Sequence, residues 1–421
     1  MFDTESSLPR RKQNLLTLTE APTSLADSSA ELRRPLGAPR IDVLLRWCAV
    51  GVFVLGALLS LYANWVSPTR PSGPSLGYYG YYDQSCYLAM AKVFAVGHIP
   101  ANSLEFTYGI GFPLLGAPLV ALGVADPFLP IDVVLFGVTV ALTFLLGARI
   151  VADRSPAVRL TVGAASAALL ALGSPALSLS TVPWNTNLVV PLGLFVLLTV
   201  TSPGPIKARV ALAVGLALGW IFATRYLDAL FAGLPVLAAL VVRSRADARR
   251  LVGLAGAGAL SVLLLVLGSQ KYAFGGWFIT PYRFHLAPGT TVNDQSTGQY
   301  KLSWIPRHLI GTFVTARLGT ERVPAAPILQ QFPALALTPV SIGFLRWLPL
   351  GHRPIWITAV GSSVLGSLFY LSFVAGSADN LKYGNTRYWS AFYPLWCVLT
   401  VWAVLQVGGR LLNGKPGAAR P

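Results

Sequence analysis

The sequence predicts an all-α integral membrane protein of about ten transmembrane helices, with juxtamembrane helices in a long first outer loop. Three observations carry this prediction. Of 421 residues, 54% are apolar, only 11% are Asp, Glu, Lys or Arg, and the apolar residues gather into runs of bilayer-spanning length. A soluble domain carries about a quarter charged residues, so a soluble globular enzyme is excluded. The mean hydropathy of +0.60 agrees.

The charge is lopsided, with 32 basic against 16 acidic side chains and a net charge of +16. In a soluble chain that excess suggests nucleic acid. In a polytopic one it is topological, and no nucleic-acid partner is expected. Cys48, Cys86 and Cys397 are too few and too scattered for a disulfide framework, and two of them lie inside apolar runs.

Residues 1–43 are polar and rich in Ser, Pro and Arg, and read as a disordered basic cytoplasmic tail. Trp47 to Trp65 has spanning length and a basic N-terminal flank, which makes it an uncleaved signal anchor. Later runs are Pro127 to Ala148, Leu160 to Leu179, Leu188 to Val200, Val210 to Ala223, Tyr226 to Val242 and Leu251 to Gly268. Pro333 to Leu350, Ile355 to Ala375 and Tyr388 to Val407 complete ten. The membrane domain is thus 44–410, with outer loops 66–126 and 269–332, and 411–421 is a second cytoplasmic tail.

An eleventh apolar run, Tyr108 to Val124, raises a question of parity, because a crossing there reverses the side of every later loop. Charge arbitrates. If the run does not cross, 21 of the 32 basic residues lie inside, among them Arg149, Arg154, Arg159, Lys207, Arg209, Arg243, Arg245, Arg249 and Arg250, as the positive-inside rule requires. Gly109, Gly111, Pro113, Gly116 and Pro118 also interrupt it, which suits an interfacial or re-entrant segment packed against protein. Ten spans with both termini cytoplasmic result. In the Val210 to Val242 hairpin, two short helices must fit between basic turns, which recesses the Arg225 to Asp228 corner and leaves room for a cavity.

Polar residues concentrate at the outer helix ends. In the first outer loop, Tyr78, Tyr79, Tyr81 and Tyr82 precede Asp83, and Tyr87, Met90, Ala91 and Phe94 then recur at helical spacing. That pattern is an amphipathic surface helix with Asp83 at its start. Asp83 reads either as an N-cap or as a catalytic base, and the two are compatible, since an anchored carboxylate is a well-positioned one.

Asp83, Tyr87, Ala89, Ala91, the Gly97–His98 turn, and then Phe106, Thr107, Tyr108, Gly109, Ile110, Gly111, Phe112, Pro113, Leu114 and Leu115 together resemble the first outer loop of the GT-C glycosyltransferases. The likeness is to the branch holding protein O-mannosyltransferases and the lipid A aminoarabinose transferase. It continues through Thr224, Arg225 and Tyr226, the loop from Phe274 to Tyr282, and Arg387–Tyr388. One departure is Gln84, where many members place a second acid.

The resemblance implies a transferase that takes a sugar from a polyprenyl-phosphate donor at the outer face of the plasma membrane and passes it, with inversion, to a hydroxyl of a cell-envelope glycan, lipid or protein. Asp83 would be the base. Arg225, Arg387, Lys271 and Arg283 are the candidates to hold the donor phosphate. The plainer role for Arg225 is a pair with Asp228, and for Arg387 it is interfacial snorkelling. Tyr82, Tyr87, His98, Glu105, Tyr282, His285 and Tyr388 are candidates to contact sugar or acceptor. No spacing suggests a metal site, and no cofactor is expected. Two other readings stay open: a multi-pass transporter, and another lipid-carrier enzyme such as an O-antigen ligase or polymerase.

Overall fold

The structure is a computed structural model that describes residues 38–66, 82–97, 108–278, 300–315, 317–318, 321–322, 327–349, 351–372 and 385–413. Among the described residues it is all-helical apart from a two-residue hairpin, β1 (Arg317–Leu318) with β2 (Glu321–Arg322). The chain divides into two compact units between Leu44 and Leu45, inside the first helix, and the second unit, Leu45–Pro421, holds the helical bundle.

That first helix, α1 (Ala38–Val66), begins within the stretch read as tail. Pro39 suits its first turn, where no intrahelical N–H bond is needed. Two helices occupy the first long loop, α2 (Tyr82–Val96) and α3 (Gly111–Ala121). Then come α4 (Phe128–Ile150), α5 (Pro156–Leu172), α6 (Ser174–Leu179), α7 (Thr186–Val200), α8 (Ala208–Thr224) and α9 (Tyr226–Val242). The rest are α10 (Arg245–Arg250), α11 (Gly256–Phe274), α12 (Ile305–Ile310), α13 (Ile328–Gln331), α14 (Thr338–Ile342), α15 (Arg353–Ser372) and α16 (Tyr393–Asn413).

By length and composition, α1, α4, α15 and the continuous run Arg245–Tyr272 can each cross a bilayer. Of the other apolar helices α16 has 21 residues and the rest are shorter; α8 and α9 have 17 residues each, about 25 Å of rise. Large apolar side chains stand exposed, such as Leu55 at 67% and Leu264 at 57%, as expected where the solvent is lipid. The core is apolar as well, built from Leu146, Val196, Val214, Trp356, Val398 and Trp402 on five helices. Close backbone approach joins α8 to the start of the last long run before α12, where a Cβ on Gly215 would fall 1.9 Å from the Ala255 carbonyl oxygen.

Two predicted spans are corrected. Leu160 to Leu179 is two helices, because Pro175 has no N–H to continue the ladder and the chain turns at Gly173. Pro333 to Leu350 is a chain of short pieces: 3-10 turns at Pro333–Leu337 and Leu345–Trp347 flank the five-residue α14. Pro339 and Pro349 prevent one continuous ladder, while Pro333 only opens the run. The path still runs beside α16 and in the same direction. Phe332 meets Tyr393 (6.4 Å between ring centroids), Thr338 Oγ1 meets Thr400 Oγ1 (2.9 Å), and Phe344 meets Trp402 (6.3 Å).

At one end of the bundle, links assigned to the cytoplasm come together. Arg243 donates to the carbonyls of Gly204 (2.8 Å), Val200 (2.9 Å) and Ser202. Asp247 accepts from the Ile206 N–H at 3.1 Å, and Arg250 donates to the Ile206 carbonyl at 3.1 Å.

Candidate active site

At the other end, α2 lays its predicted face inward: Tyr87, Met90 and Ala91 are all at most 1% exposed. Phe112 of α3 stacks on Phe128 of α4 (4.8 Å) and meets Tyr87 edge-on (5.4 Å). The glycines that interrupt the Tyr108 segment have a specific use. A Cβ on Gly109 would sit 2.5 Å from the Ala223 carbonyl oxygen, and one on Gly111 would sit 2.1 Å from Thr224 Oγ1. Their absence seats this segment against the end of α8, one residue from Arg225.

Asp83 lies in the first turn of α2, and its carboxylate turns toward other elements. Oδ1 accepts from the Tyr108 hydroxyl at 2.5 Å, and Oδ2 pairs with Arg387 Nη1 at 2.6 Å. Burial, then the Asp83 charge, pushes the Tyr108 phenol well above the ordinary tyrosine value, so it stays a donor. Burial alone would lower the Arg387 guanidinium; Asp83, Tyr388 and Tyr87 outweigh it and hold it above the ordinary arginine value. The Arg387 guanidinium also lies 3.9 Å from the centroid of the Trp184 ring.

Arg225 is the one extended residue between α8 and α9. Its Nε pairs with Asp228 Oδ2 at 2.9 Å, the plainer role the sequence offered it, and its Nη2 donates to the Tyr370 hydroxyl at 2.9 Å. Tyr370 in turn donates to Asp228 Oδ1. The Tyr370 and Tyr388 rings stack at 5.2 Å. Arg225 lies 5.4 Å from the Tyr388 ring centroid and Arg387 5.2 Å, so the two arginines converge on one aromatic ring.

Of the residues singled out from the sequence, Asp83, Arg225, Arg387 and Tyr388 therefore form one group. Tyr87 is packed into the core behind it. Lys271 donates to the Gly275 carbonyl at 2.7 Å and closes the C-terminal end of its own helix. Tyr82 opens α2, but its side chain lies outside the described residues, as do His98, Glu105, Tyr282, Arg283 and His285. Trp184 and Tyr370 were missed, because an aromatic residue beside an apolar run carries no signal of its own. Trp184 does sit in the short link between α6 and α7, and an aromatic in a short link between helices was the cue available. A cavity of about 70 Å³ opens beside Asp228, walled by Phe231, Pro235, Ala359 and Phe392.

These features define a class: an all-α membrane protein whose first-loop carboxylate pairs with a late arginine, with a second arginine against the same aromatic ring. Neither a protein-family model nor a curated protein sequence matches the chain. Among solved structures it is similar to ArnT from Cupriavidus metallidurans bound to undecaprenyl phosphate, with a TM-score of 0.50 and 15% identity over 90% of this chain and 63% of that one. At that identity the likeness establishes the fold, which is the GT-C membrane fold that the resemblance implied. The chain spans less than two thirds of the length of that neighbour.

Proposed function

We propose that the protein is a membrane glycosyltransferase that moves a sugar from a polyprenyl-phosphate donor to an acceptor hydroxyl at the outer face of the plasma membrane. The observation that carries this reading is the Asp83–Arg387 pair at 2.6 Å, with Arg225 reaching the same Tyr388 ring. A carboxylate is a base for an acceptor hydroxyl, and guanidiniums stabilise the phosphate that departs. Such a site needs both within one sugar's width. The fold shared with ArnT, whose structure holds undecaprenyl phosphate, supports a lipid-phosphate donor.

Asp83 removes the acceptor proton as the hydroxyl oxygen attacks the anomeric carbon. The bond from that carbon to the phosphate oxygen breaks on the opposite face, and the anomer inverts. The polyprenyl phosphate keeps the electron pair, and its growing charge falls to Arg387 and Arg225. Two carboxylates already balance the two arginines, so the donor phosphate must share them. Aromatic rings at Tyr388, Tyr370 and Trp184 lower the local dielectric and strengthen that attraction.

The test is release of polyprenyl phosphate from a panel of polyprenyl-phosphate sugars by membranes containing the full chain. Wild type is expected to release it, with Arg387→Ala and Arg225→Ala each raising the donor KM about tenfold or more. No release from any donor in the panel would contradict the reading.

A further inference from the structure

We infer that Trp184 is a positioning residue that holds Arg387 against Asp83, and that Gln84 anchors the link carrying it. The inference rests on the transferase reading for what the site does, and on geometry for what Trp184 does.

Arg387 is held between two groups of different kinds. Asp83 approaches at 2.6 Å, and the indole of Trp184 lies 3.9 Å from the guanidinium carbon. An ion pair fixes a distance but leaves a long side chain free to swing about it. A ring under the guanidinium plane removes that freedom, and the attraction is strongest where water is excluded. Trp184 is 5% exposed and the Arg387 side chain 16%.

The indole is carried by residues 180–185, the short link between α6 and α7, whose backbone is tied down by side chains from elsewhere. Gln84 Nε2 donates to the Pro183 carbonyl at 3.1 Å, Asn187 Nδ2 to the Val182 carbonyl at 3.0 Å, and Asn64 Nδ2 to the Ser180 carbonyl at 3.4 Å. Asn187 is held in turn by Asp132 at 2.9 Å. Gln84 has a special place among these because it follows Asp83 directly and is fully buried. A closed circuit results: Asp83 to Arg387, Arg387 to Trp184, Trp184 to Pro183, and Pro183 back to Gln84. One turn of α2 therefore sets both the carboxylate and the platform for its partner. The circuit also gives the neutral amide a reason. A carboxylate at position 84 would set a second acceptor against the Pro183 carbonyl, with no proton between them.

The experiment is a double-mutant cycle on the full chain in nanodiscs, with Trp184→Leu, Trp184→Phe and Arg387→Ala alone and with Trp184→Leu combined with Arg387→Ala. Sugar transfer and the thermal midpoint are both read. Trp184→Leu is expected to lower kcat/KM about tenfold, Trp184→Phe to keep most of it, and Trp184→Leu to add nothing once Arg387 is gone. Gln84→Met is expected to reproduce part of the Trp184→Leu loss; full activity would remove Gln84 from the inference. Equal losses in the presence and absence of Arg387, or Leu serving as well as Phe, would overturn it. Should wild type transfer no sugar, the transferase reading fails and the thermal cycle decides alone. Non-additive midpoints then support the positioning role, and additive midpoints overturn it.

Discussion

Charged residues are sparse in this chain, and that made part of the site readable at the level of single residues. Asp83, Arg225 and Arg387 stood out because a charge among apolar runs is costly unless it has work or a partner. Each has a partner here, and Asp83 and Arg387 are partners of each other. Trp184 and Tyr370 did not stand out, since Trp and Tyr are common at membrane interfaces and only three-dimensional proximity separates a platform from an anchor. Gly111 is a case where a residue read as a helix breaker proves to be a spacer. Gly111→Ala is expected to lower stability by about 1–3 kcal/mol, because its Cβ meets Thr224 Oγ1. Thermal unfolding checks this, with an internal control: Thr224→Ala added to Gly111→Ala restores part of the loss, while Thr224→Ser, which keeps the oxygen, does not.

Among the elements, α3 matters most for the path of the chain. Its 11 residues rise about 16 Å, roughly half of a hydrocarbon core of about 30 Å. The side of every later loop depends on whether it crosses. The Asp83–Arg387 contact adds an argument that charge alone did not supply: two residues 2.6 Å apart are on one side, so an even number of crossings separates them. Eight crossings satisfy this if α3 stays on the Asp83 side and the broken path from Phe332 to Leu348 counts as one. That path was legible as a span but not as a broken one, because hydropathy averages over the prolines that interrupt its hydrogen bonds. An Asp153→Cys variant without the native cysteines tests the count, since Asp153 is exposed in the link after α4. An impermeant maleimide added to intact cells is expected to label it only after permeabilisation. Labelling from outside would place α3 across the membrane.

At the scale of the whole molecule, the charges sort to the two ends. Links read as cytoplasmic meet around Arg243 and Asp247, and links read as outer meet around Asp83 and Arg387. The positive-inside pattern and the gathering of the site thus describe one topology. Hydropathy and loop charge made the fold class legible, because lipid imposes helices on any crossing backbone. The convergence of α2, the α6–α7 link, the α8–α9 corner and the end of α15 was not legible, since it depends on side chains as far apart in the chain as Asp83 and Arg387.

The central claim is that Asp83 is the base opposite a phosphate-holding arginine. It is tested most directly by Asp83→Asn in membranes supplied with a polyprenyl-phosphate sugar that wild type consumes. The asparagine keeps the size and one of the two acceptor oxygens that meet Tyr108 and Arg387, but it carries no charge and cannot take a proton. Transfer is expected to fall about a thousandfold in kcat with the donor KM little changed. Transfer at the wild-type rate from an equally expressed Asp83→Asn protein would contradict the account.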